Sequence, residues 1–413
     1  MELRSGYKKT EVGILPEDWE VRSFEKLFSF KNGVNADRNA YGRGVPFVNV
    51  LEPISYSHIY GHEVTGRITL PRSVIVSYVL RLGDILFNRT SETDLDLGLA
   101  AAFLGTEEIV FGGFVIRGRP NDDRLDPVYA GYALRAPVIR CQIIPMGQGA
   151  VRANIGQQNL GRVLAPLPSL PEQRAIAKAL SDMDELLGGL DRLIAKKRDL
   201  RQAAMQQLLT GQTRLPGFRG EWEETTLGDI GDCIIGLTYK PEDVVDHGLL
   251  VLRSSNVQNG RLSFEDNVYV NLEVPEHLYT QVGDLLICVR NGSRALIGKC
   301  AVIDRAAAGL SFGAFMAVYR TKHWRFVVHS FQGDDIQRQI RDNVGATINQ
   351  ITNKDLKAFR LKLPPPGEQT AIAEVLTEMD AELAALEERR EKTRALKQGM
   401  MQELLTGRTR FTT

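Results

Sequence analysis

Short polar loops that follow apolar runs carry the side chains best suited to bind a nucleic acid. "FNRTSETD" (87–94) follows one such run, and "VRNGSRALIGK" (289–299) follows another. Proteins use guanidinium, ammonium, amide and hydroxyl groups to contact base edges and phosphates. Any single member of this set is explained equally well as a solvated loop residue. The candidate DNA contacts are Lys31, Asn32, Arg89, Thr90, Ser91, Arg117, Arg253, Ser254, Asn256, Arg290, Asn291, Ser293, Arg294 and Lys299.

Two recurring carboxylates are the alternative chemistry. Gly83-Asp84 and Gly283-Asp284 occupy similar places in the two halves of the chain. They would be general acids or bases in an enzyme, but a Gly-Asp turn before a buried strand explains them better. The sequence has no P-loop, no nucleophile elbow and no Asn/Asp-Pro-Pro-aromatic tetrad of amino-methyltransferases. We therefore predict no catalytic residue in this chain.

Metal and cofactor sites are not predicted either. The four cysteines are scattered and lack zinc-ligand spacing. His58 and His62 lie four residues apart, but their segment is typical of strand and turn rather than helix. "GQGAVRANIG" (147–156) contains glycines without the strand-then-helix context of a dinucleotide-binding loop. We expect this chain to bind no cofactor and no metal.

Composition sets broad limits on the class of protein. A formal net charge of zero argues against a protein that coats nucleic acid by bulk charge, yet allows local basic loops. No run of about 18 apolar residues indicates a membrane span, and "MELRSGYKKT" lacks the apolar core of a signal peptide. A cytoplasmic protein of two or three domains is expected from the 413 residues.

An internal repeat organises the sequence. "LLTGQTR" (208–214) returns as "LLTGRTR" (404–410), and 22 of the 44 positions in 171–214 are identical in 367–410 without a gap. Apolar residues at alternating spacings of four and three in both copies predict two long helices that pair along a seam. The seam residues are Ile176, Leu180, Met183, Leu187, Leu190 and Ile194, with Ile372, Leu376, Met379, Leu383 and Leu386 in the second copy.

The remaining segments repeat more weakly. Trp19 and Gly33 match Trp222 and Gly236, and "GGFVIR" (112–117) matches "GAFMAVYR" (313–320). Short apolar runs predict strands in both, so we expect two similar α/β domains. The predicted order is domain 1–165, helix 166–215, domain 216–362 and helix 363–413. Antiparallel pairing of the helices as a coiled coil would give the chain a pseudo-two-fold internal repeat.

These features resemble the specificity subunits of type I restriction–modification systems. The resemblance is carried by "GYKKTEVGILPEDWEV" (6–21), by "LPSLPEQRAIAKALSDMD" (167–184) and "LPPPGEQTAIAEVLTEMD" (363–380), and by the two "LLTG-TR" endings. "LGDILFNRTS" (82–91) is similar to the family's target-recognition domains. The resemblance extends over the whole chain, and the repeated helix openings are quite specific.

The resemblance implies a DNA-binding subunit without catalysis of its own. Each domain would recognise one half of a split DNA sequence, and the coiled coil would set the unread spacer. Two modification subunits would bind S-adenosylmethionine and methylate adenine. Restriction subunits would use ATP, with Mg expected on the partner subunits, and no membrane would be involved.

Three alternatives remain open from the residues. A fused nuclease or methyltransferase would show activity in the purified chain. A specificity subunit of a related system, in which one partner both methylates and cleaves, would differ in its neighbouring genes. A coiled-coil scaffold that binds only protein would show no sequence preference for DNA.

Overall fold

The computed structural model describes residues 5–149, 152–344 and 349–411. The chain divides into two compact units. Unit 1 comprises Met1–Leu190 with Arg389–Thr413, and unit 2 comprises Asp191–Glu388. Each unit therefore combines one α/β domain with a section of each long helix.

Unit 1 contains short strands and helices around mixed sheets. Its strands are β1 (Tyr7–Thr10), β2 (Gly13–Pro16), β3 (Glu20–Ser23), β4 (Phe28–Asn32), β5 (Tyr41–Val48), β6 (His58–Ile59), β7 (Arg67–Ile68), β8 (Ile85–Asn88), β9 (Thr90–Ser91), β10 (Ala100–Phe103), β11 (Val110–Phe111), β12 (Val115–Pro120), β13 (Ala153–Asn154) and β14 (Leu164–Leu167). Its short helices are α1 (Phe24–Leu27), α2 (Leu51–Ser55), α3 (Arg72–Tyr78), α4 (Pro127–Ala133), α5 (Pro137–Ile143) and α6 (Gln157–Gly161).

Two sheets position the loops of unit 1. One has the strand order β4-β12-β8-β10-β6, and the other has the order β11-β5-β7. β8 lies between two antiparallel neighbours, and all of its residues are buried. This burial on both faces explains the continuous apolar run "ILF" in its sequence. For the same reason β8 lacks the alternation of apolar and polar residues that is typical of a strand with one exposed face.

Unit 2 repeats this scheme. Its strands are β15 (Glu223–Thr226), β16 (Asp232–Ile235), β17 (Val244–Val245), β18 (Leu249–Leu252), β19 (Val257–Gln258), β20 (Arg261–Leu262), β21 (Tyr269–Val270), β22 (Leu285–Cys288), β23 (Cys300–Val302), β24 (Ser311–Phe312), β25 (Met316–Arg320) and β26 (Arg360–Leu363). Its short helices are α8 (Leu227–Ile230), α9 (Trp324–Gln332), α10 (Asp334–Asn343) and α11 (Asn353–Ala358). The sheet order β16-β25-β22-β23 corresponds to β4-β12-β8-β10.

The two long helices are α7 (Leu170–Leu208) and α12 (Pro366–Leu404), each of 39 residues. In unit 1 the ammonium of Lys397 lies 2.5 Å from the Asp184 carboxylate. In unit 2 the ammonium of Lys197 lies 2.6 Å from the Glu382 carboxylate. Residue numbers rise along one helix as they fall along the other, so the helices pair antiparallel, as predicted.

The seam residues are buried to different degrees. Those with little exposed surface are Ile176, Leu180, Leu190, Ile194, Ile372, Leu376 and Leu383, and those half-buried are Met183, Leu187, Met379 and Leu386. The helix starts also pack on their own domains, since Leu180 shares a core with Phe24 and with Leu404 of α12. Leu376 shares a core with Phe326 and Met205. The stripe therefore serves the helix pair and the domain together.

The repeated seven residues close each unit. In unit 1 Arg410 forms two hydrogen bonds to the carboxylate of Glu172, at 2.6 and 2.9 Å, and the Trp19 indole donates to the same carboxylate at 3.0 Å. In unit 2 Arg214 makes the same bidentate contact with Glu368. Gly407, with φ of 68°, follows the last helical turn as a C-terminal cap that favours glycine. The repeat thus exists because each copy ends one helix and anchors the start of the other.

No helix in the described part of the chain is both long enough and apolar enough to cross a bilayer.

Candidate nucleic-acid interface

The loops at one end of β8 and β12 bring several candidate residues of unit 1 together. Arg89 follows β8, and its backbone N–H donates to Phe114 O at 2.8 Å. Its guanidinium reaches Gly113 O at 3.4 Å. The Thr90 hydroxyl donates to Asn154 at 2.7 Å, while Asn32 at the end of β4 accepts from Gln157 at 2.9 Å. We name the loops after β4, β5 and β8, with the turn before β12, loop cluster 1.

Unit 2 has an equivalent set after β16, β18 and β22, with the turn before β25, which we name loop cluster 2. It surrounds an open cleft of about 480 Å³. Arg290 is exposed, and its guanidinium carbon lies 5.1 Å from the centroid of the Phe315 ring. Asn291 donates from its amide to Ser254 Oγ at 3.1 Å. Ser293 is exposed, and its backbone N–H donates to the Asn291 side chain. The cleft is lined by Leu237, Thr238, Tyr239, Arg253, Ser254, Ser255, Asp266, Gly313, Ala314, Phe315 and Met316.

In unit 1, two cationic side chains lie on neighbouring strands beside loop cluster 1. Lys31 on β4 is directly opposite Arg117 on β12 in the strand register. The ammonium of Lys31 donates to the backbone and hydroxyl oxygens of Ser77, both at 2.7 Å. Burial, and next the charge of Arg117, lower the pKa of Lys31. Arg117 is only 8% exposed, and among the described residues its Nε has no hydrogen-bond partner.

Several candidates have structural roles in this chain. Asn256 is fully buried, and its amide donates to Ser263 O and Asp266 O. The Asn256 side chain thereby shapes the loop that carries Arg253, and the DNA contact expected of Asn256 stays a prediction. Ser91 is 7% exposed and accepts from Thr93 N at 3.1 Å, which likewise fits a loop-shaping role.

Two further cations lie away from the cleft lining. Arg294 donates to the carbonyl oxygens of Arg341 and Val344, at 2.9 and 3.0 Å. These carbonyls end α10, where a cation satisfies acceptors that the helix leaves open. Lys299 is half-buried just before β23. The cleft thus gathers Arg253 and Ser254 and has Arg290 at its edge, but it does not include Arg294 or Lys299.

One residue of unit 1, Asn49, was not among the candidates predicted from the sequence. It directly follows β5, as the predicted candidate Arg253 directly follows β18. The Asn49 backbone N–H donates to the Glu52 carboxylate at 2.8 Å, just as the Arg253 backbone N–H donates to the Asn256 side-chain oxygen at 2.9 Å. The Oδ1 of Asn49 and the Nε of Arg253 are both buried and lack hydrogen-bond partners in the described chain. Arg253 also pairs with Asp266 at 2.9 Å. Aligning "VPFVNV" (45–50) with "LLVLRS" (249–254) would have revealed Asn49.

The recurring carboxylates are structural, as the turn interpretation predicted. Asp84 accepts from Arg81 N and from two nitrogens of Arg119, at 2.7 to 2.8 Å. Asp284 accepts from Gln281 N and from Arg320 in the same way. A bidentate Arg partner and a turn N–H occupy the carboxylate lone pairs. Within residues 5–149, 152–344 and 349–411, no group of three His, Cys, Asp or Glu residues is arranged to hold a metal ion.

Comparisons with known proteins agree with this architecture. Residues 219–395 match the family model described as type I restriction modification DNA specificity domain. The MjaX type I restriction enzyme specificity subunit of Methanocaldococcus jannaschii is 28% identical over 440 residues, covering 98% of this chain and 97% of that protein. The EcoKI specificity subunit of Escherichia coli is 29% identical over 196 residues, covering 45% of this chain and 42% of that protein.

Solved structures share the fold. The S subunit of a type I restriction–modification system from M. genitalium has a TM-score of 0.58 at 18% identity and covers 98% of each chain. A chain from a study of complex assembly and conformational transition in a type I system has a TM-score of 0.61 at 19% identity, covering 95% of this chain and 99% of that one. The duplicated domains, the antiparallel helices and the sequence matches agree, and this chain is similar along nearly its whole length to type I restriction–modification specificity subunits.

Proposed function

We propose that this chain is the sequence-specific DNA-binding subunit of a type I restriction–modification complex and that it recognises a bipartite DNA sequence. One observation carries the proposal: the same scaffold occurs twice and carries different polar side chains at equivalent loop positions. Asn49 in loop cluster 1 corresponds to Arg253 in loop cluster 2. Amides pair best with adenine and guanidinium groups with guanine, so the two units would recognise different bases.

Charge supports binding at these loops despite the neutral chain. Arg89 lies in loop cluster 1, and Arg253 and Arg290 lie in loop cluster 2. Phosphate contacts by such residues supply much of the affinity of proteins for DNA. Hydroxyl and amide groups beside them, such as Ser254 and Asn291, add hydrogen-bonding capacity without net charge. The arrangement suits recognition of a short sequence rather than bulk binding.

Catalysis belongs, in this proposal, to partner subunits. Two modification subunits would bind the coiled-coil helices and supply S-adenosylmethionine-dependent adenine methylation, and restriction subunits would supply ATP-dependent translocation and cleavage with Mg. The family match and the absence of known catalytic motifs from the sequence support this division of labour. The two long helices would link the recognition domains and set the spacer between the half-sites.

The test is selection from a random duplex library with this chain and its modification subunit. Recovery of two short motifs separated by a gap of constant length is the expected outcome. A second selection with loop cluster 2 altered, for example by Arg253→Gln, should change only one of the two motifs. A single contiguous motif, or enrichment without any motif, would refute bipartite recognition by the two units.

A further inference from the structure

Each unit exposes one phenylalanine at the same point of its fold. Phe114 is 52% exposed and Phe315 is 56% exposed. Each is the third residue of a tight turn, in which Val115 N donates to Gly112 O and Met316 N donates to Gly313 O, both at 2.8 Å. Their positions in the order of strands are equivalent, directly before β12 and β25. Both copies of the repeated scaffold therefore expose a phenylalanine at the same site.

The backbone holds both rings in place. Phe114 O accepts from Arg89 N at 2.8 Å, and Phe315 O accepts from Arg290 N at 3.1 Å. The turn residues before them are also fixed, since Gly113 N donates to Val34 O and Ala314 N donates to Leu237 O, both at 2.9 Å. A phenylalanine exposed on a braced turn loses little conformational entropy on binding, because only its two side-chain torsions remain free. The turn is suited to present the ring to a ligand.

The surroundings of the Phe315 ring favour a nucleic-acid base over an apolar protein surface. Beside Phe315 the cleft carries Thr238, Arg253, Ser254 and Ser255, and the Arg290 guanidinium lies near the ring. Protein interfaces that use an aromatic anchor generally surround it with further apolar surface. Sites for bases instead combine an aromatic face with cations and hydrogen-bonding groups.

We propose that Phe114 and Phe315 stack on bases of the DNA, one ring at each half-site, next to the base edges contacted by the neighbouring polar side chains. This inference rests on the proposed function and names a stacking contact for each unit. The ring at each turn would insert at a base step or cover a base whose stacking is disturbed. Stacking is insensitive to base identity, because every base has a π-face. The same residue can therefore serve both units although they recognise different bases.

The experiment compares variants of the full chain, bound to its modification subunit, on a duplex that carries the selected bipartite motif. Phe315→Ala should weaken binding roughly five- to 150-fold, as loss of one base–aromatic stack does. Phe315→Trp should retain most of the affinity, whereas Phe315→Leu should not, because leucine keeps apolar volume without a π-face. Phe114→Ala should have the same effect through the other half-site. Circular dichroism and thermal unfolding should be unchanged, since both rings are exposed.

Matched controls lie at the other end of the same central strands. Leu82 and Val282 are 66% and 55% exposed, just before the Gly-Asp turns that precede β8 and β22. Leu82→Ala and Val282→Ala should leave DNA affinity unchanged. The salt dependence separates stacking from phosphate contact: Phe315→Ala should keep the wild-type slope, whereas loss of one phosphate contact reduces the slope of log K against log salt by about 0.9.

The outcomes are decisive. The stacking proposal would be overturned by unchanged DNA affinity in Phe114→Ala and Phe315→Ala, or by wild-type DNA affinity in Phe315→Leu. In either case the bipartite motif selected by the wild type would still support the proposed function. Loss of the modification subunit from Phe315→Ala in size-exclusion chromatography without DNA would assign the ring to a protein contact instead. A wild-type chain that does not prefer the motif over a scrambled duplex would refute the proposed function, and the stacking inference with it.

Discussion

Arg410 and Glu172 lie 238 positions apart in the chain, yet their side chains form a bidentate ion pair. The Glu172 side chain is only 3% exposed, whereas that of Arg410 is 30% exposed. Arg410 also donates to Asp18 at 2.7 and 2.8 Å, and this hydrogen bonding is the main cause of the lowered pKa of Asp18. The end of α12 is thereby joined to the start of α7 within unit 1.

Replacing Arg410 by alanine should lower the free energy of unfolding of unit 1 by roughly 1–3 kcal/mol, because it leaves the buried Glu172 carboxylate without its cation. Urea unfolding of the full chain would measure the change. Arg408→Ala is the control, since the Arg408 side chain is 70% exposed and lies 3.9 Å from Glu403. Equal effects of the two substitutions would show that the bidentate pair contributes no particular stability.

Leu376→Ala should destabilise unit 2 by about 2–5 kcal/mol, since Leu376 is fully buried and its truncation leaves a cavity. Leu396→Ala on the same helix should change the unfolding free energy by no more than about 0.5 kcal/mol, because Leu396 is 58% exposed. Calorimetry or urea titration would distinguish them. A small loss in Leu376→Ala would mean that the helix start does not depend on packing against the core around Phe326.

Arg290→Ala should weaken binding to the selected duplex by about 1–3 kcal/mol, because an exposed guanidinium in loop cluster 2 is free to contact a base or a phosphate. Arg294→Ala should leave DNA affinity nearly unchanged, since that guanidinium is held by carbonyl oxygens at the end of α10. Fluorescence anisotropy at constant salt would compare the two. The reverse order of effects would move the DNA contact further along the loop after β22, from Arg290 to Arg294.

The buried His329 side chain should make the stability of unit 2 depend on pH. Burial lowers its pKa to about 4, an effect that Asp380 partly opposes. Between pH 6.5 and 4 the unfolded chain takes up a proton that the folded chain does not, so the unfolding free energy should fall as pH falls. The loss is at most about 1.4 kcal/mol per pH unit.

The variant His329→Gln should have a flatter stability profile between pH 6.5 and 4 than the wild type. His62→Gln is the control, because the His62 side chain is 78% exposed. Thermal unfolding of the chain across this pH range would measure both. Parallel profiles for His329→Gln and the wild type would exclude His329 as the cause of the acid sensitivity.

Lengthening the two long helices should lengthen the gap between the two half-sites in the DNA. Seven residues inserted after Leu190 in α7 and after Glu388 in α12 would lengthen both helices by about 10 Å, which corresponds to roughly three base pairs. Selection with this variant should recover the original half-sites with a longer gap. An unchanged gap would show that the helices do not determine the spacer.

The architecture was accessible from the residues because it depends on repetition and periodicity. The match between 171–214 and 367–410 predicted two long helices of one length, and α7 and α12 each have 39 residues. The heptad spacing predicted that the two helices pair, and the resemblance to type I specificity subunits implied that they pair antiparallel. Paired Trp, Gly and strand patterns predicted two copies of one α/β domain, because each scaffold must bury the same apolar runs.

The functional surface was decided by tertiary structure, because neighbouring loop residues differ in burial and in their partners. Asn256 and Arg253 are three positions apart, yet one is fully buried and the other lines an open cleft. Arg290 and Arg294 are four apart, yet one lies over Phe315 and the other caps α10. Phe114 and Phe315 are apolar residues of the kind usually found in the core. They are exposed to solvent because they lie in the tight turns that precede β12 and β25. The chemistry of each side chain can be read from the residue type alone. Its exposure depends on long-range packing, which brings distant strands and loops together.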